Sequence, residues 1–245
     1  MRMYGDLADW YDLIDPVADH EDEAAMMADL LARAGVAGGA LLELGCGAGN
    51  NARWLRDRYD LTLTDLNPEM LARSQAQNPG CAHVLGDMRS LRLGRRFDAV
   101  LVHDAVCYLS TEADLRALAE TIAVHLRPGG VALVSPDTVR EAFFEATDET
   151  FATDGHGRAL FMTEWSWDPD PDDTSYRVEF VLQLRRGAEV QVVHDPHEEG
   201  LFPVATWLAA LASAGLEVEA VEARADEVEG TPYTSLVFVA RAPLS

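Results

Sequence analysis

The sequence predicts an α/β protein built on a mostly parallel sheet with helices on both faces, and three observations predict it. An apolar run at residues 40–44 breaks into three glycines at alternate positions, Gly45, Gly47 and Gly49, and a helical pattern starts directly after them. From there to residue 135, strand-like and helix-like segments alternate, the rhythm of βαβ units and hence of a parallel sheet. That rhythm then stops, and residues 159–199 carry three segments that read as antiparallel strands.

Composition narrows the function. A chain of 245 residues, 48% apolar and 25% charged, has the profile of an ordinary soluble globular protein and can bury a sizeable core. Cys46, Cys81 and Cys107 are too few and too scattered for a disulfide framework or a zinc site. No apolar run approaches a membrane span and no signal-peptide core opens the sequence, so a cytoplasmic location without a membrane partner is expected. Acidic residues number 42 against 19 basic ones, a net charge of −23, and every basic residue is arginine. Without lysine there is neither a Walker-type phosphate loop nor a Schiff base. Sparse cations also argue against nucleic acid. A negative field draws in cationic ligands, although surface acid serves solubility as well.

Residues 3–34 are helical in pattern with an interruption at Asp15-Pro16. Tyr4, Leu7, Trp10, Tyr11 and Ile14 share one face at spacings of three and four. The glycine turn allows positive φ and close ligand approach, beside the free N–H groups of a helix end. Asn50 stands where a dinucleotide fingerprint would place its third glycine, which disfavours a dehydrogenase. The next strand, residues 60–65, ends in Asp65, whose carboxylate is placed for both ribose hydroxyls of an adenosine. Asn67 is the better cap for the helix that Pro68 opens, which leaves Asp65 for ligand. Strand 82–85 leads into Gly86-Asp87-Met88-Arg89, so Glu43, Asp65 and Asp87 form one ligand edge.

Residues 97–103 read as a strand buried on both faces, emptying into a loop at 104–109. Thr111 then caps a helix through His125, with Asp114 completing an acidic variant of the capping box. A strand at 131–135 and a helix over 137–151 follow. The antiparallel strands are placed at 159–167, 175–184 and 190–194, the last extending toward Glu199. A helix at 204–214 and strands at 217–221 and 235–240 complete the sheet.

Glu43-Leu44-Gly45-Cys46-Gly47-Ala48-Gly49 resembles motif I of the class I S-adenosylmethionine (SAM) dependent methyltransferases, and Leu126-Arg127-Pro128-Gly129-Gly130 resembles the family's turn into the fifth strand. Tyr4 through Asp12 resembles its N-terminal lid helix. That Tyr pattern and the Gly86-Asp87-Met88-Arg89 segment are similar to amino-sugar N-methyltransferases, while His103 through Tyr108 departs from them and leaves the acceptor open. The resemblance implies a Rossmann-like class I methyltransferase fold, a seven-stranded mostly parallel sheet plus an antiparallel β insertion, in a single domain. Residues 1–38 would form the lid, 39–135 the SAM-binding core, 136–200 an acceptor-binding insertion and 201–245 the remainder of the sheet.

The implied cofactor is SAM, with S-adenosylhomocysteine as product and no metal. Its implied contacts are Tyr4, Tyr11 and His103, the motif residues Glu43, Gly45, Cys46, Gly47 and Asn50, then Asp65 and Leu66, with Asp87 and Met88 along the adenine. Tyr11, His103, Asp104 and Tyr108 are the candidates at the reacting centre. Tyr108, Trp165, His194, His197 and Glu198 are the candidates for the acceptor. The His194 to Glu198 cluster lacks a helical metal-ligand register.

Methyl transfer from a sulfonium is an in-line displacement that needs positioning and dryness. A neutral amine attacks unaided, whereas a hydroxyl wants a general base. Tyrosines can surround a methylated ammonium and Asp104 favours a cationic product, so a small-molecule amine is the expected acceptor. The alternatives are a small-molecule O-methyltransferase, or a SAM-binding protein with non-methylating chemistry or a sensing role. An exposed edge in the insertion leaves room for a homodimer.

Overall fold

A computed structural model describes residues 1–228 and 231–244. The N-terminal segment expected to form the lid is a 3-10 turn, Ala8–Trp10, running into α1 (Tyr11–Ile14), then a second turn, Val17–His20, running into α2 (Glu21–Arg33). The break falls at Asp15-Pro16 because proline removes a helical donor and pushes the preceding residue out of the helical region. There follow β1 (Gly39–Leu44), α3 (Asn50–Leu55), β2 (Tyr59–Asp65), α4 (Pro68–Gln77) and β3 (Ala82–Leu85). Next come β4 (Phe97–His103), a 3-10 turn Ala105–Tyr108, α5 (Glu112–His125) and β5 (Leu126–Ser135). After an inserted sheet, α6 (Val204–Ser213), β10 (Glu217–Val228) and β11 (Thr231–Arg241) close the main sheet.

The main sheet has seven strands in the order β10-β11-β5-β4-β1-β2-β3, all running the same way except β11, which is antiparallel to both of its neighbours. Alternate side chains of the same strands serve two cores. Leu42, Leu44, Val100, Val102 and Val134 face α5 and α6, while Leu41, Leu61, Leu63, Leu101 and Leu133 face α2 and α3. Burial on both faces is why these strands read as unbroken apolar runs. The chain builds outward from β1 to β3 and then returns to β4 on the other side of β1. The carboxyl ends of β1 and β4 therefore flank the switch point where open α/β sheets hold ligands.

The expected helix over 137–151 is not formed. Those residues make a loop and then β6 (Ala146–Thr153), which pairs antiparallel with β7 (Arg158–Trp167). Phe151 lies opposite Phe161, and this cross-strand pairing overrides the helical propensity of the segment. With β8 (Ser175–Arg186) and β9 (Glu189–Gly200) the second sheet is a four-stranded meander, one strand more than expected. Its Leu160, Met162, Leu182, Leu184 and Val193 pack against Met3, Leu7, Trp10, Leu13 and Ile14. The lid stripe is thus a core stripe, and it clamps the N-terminal segment between the second sheet and the switch point.

Candidate active site

A cavity of about 1040 Å³ opens at the carboxyl ends of β1, β2 and β4 beneath the lid and the second sheet. That exceeds a single drug-sized pocket and accommodates a nucleoside cofactor beside a small acceptor. At Gly47 (φ 52°) an added Cβ would meet only the Tyr11 hydroxyl, 3.9 Å away, so the turn leaves a slot facing the lid. Gly49 (φ 77°) is closed instead, because Ser74 and Asn78 occupy the space a Cβ would need.

Asp65 is fixed from both sides. One carboxylate oxygen accepts from Gly47 N and the other from Asn67 N, each at 2.8 Å. Asn67 caps α4 as expected, but Asp65 is engaged by backbone rather than free, and its remaining lone pairs border the cavity. Burial raises its pKa, and the amides of Asn67, Gly47 and Leu66 oppose that. Glu43 is 3% exposed and its Oε2 has no hydrogen-bond partner among the described residues. Burial pushes its carboxyl up to about 7, with Asp65 and Glu23 adding to the effect and His103 and His20 opposing it. An orphaned carboxylate oxygen beside a cavity needs an external donor. The slot at Gly47, the acceptors at Asp65 and the orphan at Glu43 fit a nucleoside that carries an amino-acid ammonium.

Other expected cofactor contacts are partly committed elsewhere. Asp87 is held by Arg89 through bonds of 3.0 and 2.7 Å, and Arg89 also reaches Asp114 at 3.0 Å. Asn50 donates to the carbonyl and carboxylate of Asp15 at 3.0 and 2.9 Å, tying α3 to the lid hinge. The Cys46 thiol turns to Ser74, with sulfur 3.8 Å from its hydroxyl oxygen. Leu66 stands 66% exposed at the cavity edge, and Met88 and Gly45 line the wall.

A chain of alternating carboxylates and imidazoles crosses from the lid to the β4 loop. His20 lies between Asp15 (2.7 Å) and Glu23 (3.1 Å), and His103 lies between Glu23 and Asp104, both at 3.0 Å. Burial works against the charged ring of His103, but Asp104 and Glu23 outweigh it and hold its pKa well above the ordinary value. By the same balance His20 is pushed up to about 10. His103 is therefore an imidazolium with both N–H groups committed. It has no lone pair with which to act as the general base that an oxygen acceptor would require. Asp104 takes φ 48°, the one non-glycine at positive φ among the described residues, and strain of this kind clusters at working sites.

Opposite the cofactor side, Tyr4 and Tyr108 hydroxyls are 2.7 Å apart, and Tyr108 is 3.0 Å from His197 Nδ1. Tyr11 is close by, its ring centroid 6.0 Å from that of Tyr4. Cys107, Asp137 and Glu199 bring polar atoms within 4.8 Å of one another. Burial pushes the carboxyl of Glu199 up, the neighbouring acids Asp104 and Glu199 push up that of Asp137, which opens to the cavity, and Tyr176 donates to Glu199 at 2.5 Å. Glu164, also on the wall, is pushed up to about 7 by burial.

Three expected acceptor residues lie away from this wall. Trp165 is 48% exposed, packs tilted against Trp167 with centroids 4.6 Å apart and donates to Glu145. His194 pairs with Glu179 on the outer face, and Glu198 points out toward Arg177 at 3.9 Å. The reason is strand parity, since Asp195, His197 and Glu199 of β9 face inward and their neighbours cannot. Counting by twos from His197 would have found Glu199 in place of Glu198. Asp15, Glu23 and Asp137 sat in unremarkable local sequence and were missed.

The geometry defines an α/β fold whose cavity at the β1/β4 switch point suits a nucleoside bearing an amino-acid group, with room beside it for a second small molecule. A family model described as a methyltransferase domain matches residues 41–130. A relative from Streptomyces venezuelae, dTDP-3-amino-3,4,6-trideoxy-alpha-D-glucopyranose N,N-dimethyltransferase, is 32% identical over 89% of this chain and 92% of its own. Among solved structures, DesVI of Streptomyces venezuelae superposes with a TM-score of 0.82 at 30% identity, covering 96% of this chain and 98% of that one. SAM-bound CalS10, an amino pentose methyltransferase from Micromonospora echinaspora, gives 0.76 at 29% identity over 90% of each. The chain belongs to the SAM-dependent methyltransferases. It is an enzyme, its methyl donor is SAM, and its acceptor is a small molecule. Among the described residues no helix is long and apolar enough to cross a membrane.

Proposed function

We propose that this enzyme methylates the amino nitrogen of an amino sugar carried on a nucleoside diphosphate, in two successive transfers. The observation that carries the reading is the acceptor wall, where Asp137, Glu199 and Asp104 converge beside phenols while the histidines that line the cavity, His20 and His103, are each held between two carboxylates. Such a wall receives a cationic amine and offers an alcohol no imidazole base. SAM supplies a methyl group activated on a sulfonium. Glu199 and Asp137, with their raised proton affinity, take up the proton of the incoming ammonium and leave the nitrogen a lone pair. Tyr4, Tyr11 and Tyr108 close over the nitrogen, keep water out and favour the cationic product. Glu43 would hold the ammonium of the cofactor, Asp65 its ribose hydroxyls and Met88 the face of its base.

The relatives that match almost the whole chain act, by name, on dTDP-amino sugars, which supports the same acceptor class here. Incubation with dTDP-3-amino-3,4,6-trideoxy-α-D-glucopyranose and labelled SAM tests it. Label is expected first in the methylamine and then in the dimethylamine. Label entering a hydroxyl or carboxylate of a mixed panel, and not this amine, would overturn the assignment.

A further inference from the structure

Asp195, His197, Tyr108 and Tyr4 form an unbroken hydrogen-bond chain from the backbone of the lid to the cavity, and its direction can be read atom by atom. Met3 N–H donates to Asp195 Oδ2 at 2.7 Å, so that oxygen accepts. His197 Nε2 lies 3.3 Å from the same oxygen and must bring the second proton. Burial penalises a charged ring at His197 and holds its pKa below the ordinary value, so the ring carries one proton and Nδ1 is bare. Tyr108 lies 3.0 Å from Nδ1 and spends its hydroxyl proton there. Tyr4, 2.7 Å from Tyr108, can then only donate to it. Burial raises the pKa of both phenols, so neither ionises to change the count. The Tyr4 oxygen is left with lone pairs alone.

We propose that this chain makes the Tyr4 oxygen an obligatory hydrogen-bond acceptor for the substrate nitrogen, and that this limits transfer to two methyl groups. The inference rests on the amine acceptor proposed above. A primary or secondary amine gives one N–H to Tyr4 and keeps its lone pair for the methyl carbon. A neutral dimethylamine has no N–H to give, and its protonated form has no lone pair, so neither is held in a reactive pose. Tyr4 touches the substrate in this scheme. Tyr108, His197 and Asp195 are positioning residues that act through it.

Two measurements test the proposal. Nitrogen-15 spectra of the ring of His197 in the whole enzyme are expected to show the proton on Nε2. A proton on Nδ1 reverses the chain and overturns the proposal whatever the natural acceptor is. With the dTDP-3-amino sugar, Tyr4→Phe is expected to lower kcat for both transfers about tenfold or more while the SAM Kd stays unchanged. Tyr108→Phe, which keeps the Tyr4 hydroxyl but frees its proton, is expected to lower kcat less and to alter the His197 ring signals. Unchanged kcat in Tyr4→Phe, or a loss confined to SAM binding, overturns the role of Tyr4. If the wild-type enzyme leaves the dTDP-amino sugar unmethylated, the acceptor assignment fails on its own. The ring spectra still decide the direction of the chain, and the same kinetic comparison is made on whichever amine takes the label.

Discussion

Glu43 and Asp65 close neighbouring strands, yet their environments give them different tasks. Asp65 is braced by two backbone amides and offers fixed lone pairs, so Asp65→Ala both removes the acceptors and strands Gly47 N and Asn67 N. Its SAM Kd, measured by calorimetry, is expected to rise about tenfold or more. Glu43 is buried, orphaned and pushed up to about 7, so below that pH the free enzyme holds a proton there. Binding a cofactor ammonium favours the carboxylate and expels that proton. SAM affinity is therefore expected to weaken as pH falls below 7, by up to about tenfold per unit, with proton release visible when heats are compared in two buffers. Glu43→Gln should abolish both the release and the pH dependence. These residues were legible in the sequence because a strand end beside a glycine turn fixes a side chain locally. His103 was legible as a position but not as a chemical state, since its protonation comes from Glu23, which lies on another element far away in the chain.

At the scale of elements, the hinge between lid and α2 is held by charge. His20 is raised from 6.5 to about 10 by Asp15 and Glu23, so its contribution to stability is fully present below pH 6.5 and is lost as pH rises through about 10. Thermal unfolding followed from pH 7 to 10.5 should show the midpoint falling across that window, with a flatter profile in His20→Gln. An unchanged profile in the variant would show that the hinge draws nothing from this ring. The parallel strands were readable because burial on both faces leaves an apolar signature that needs no partner to interpret. The second sheet was harder, because β6 is made by pairing with β7 rather than by its own preference, and β9 exposes a different chemistry on each face. Glu198 and Glu199 differ by one step of strand parity, and that step is the difference between solvent and cavity.

For the whole molecule, the net charge of −23 acts with opposite sign on SAM and on the proposed acceptor. It attracts a sulfonium and repels a nucleoside diphosphate, and salt screens both effects. Raising ionic strength from about 10 mM to 150 mM is expected to raise the SAM Kd and lower the KM for the dTDP-sugar. Movement of both constants in the same direction would rule out the global field as the cause. The residues proposed for the cofactor stand on the first sheet, while Glu164, Tyr176 and Glu199 reach the cavity from the second, whose backbone ladder is indifferent to those side chains. Which molecule is modified can thus drift, or be rewritten by design, while the apparatus that delivers the methyl group stays as it is.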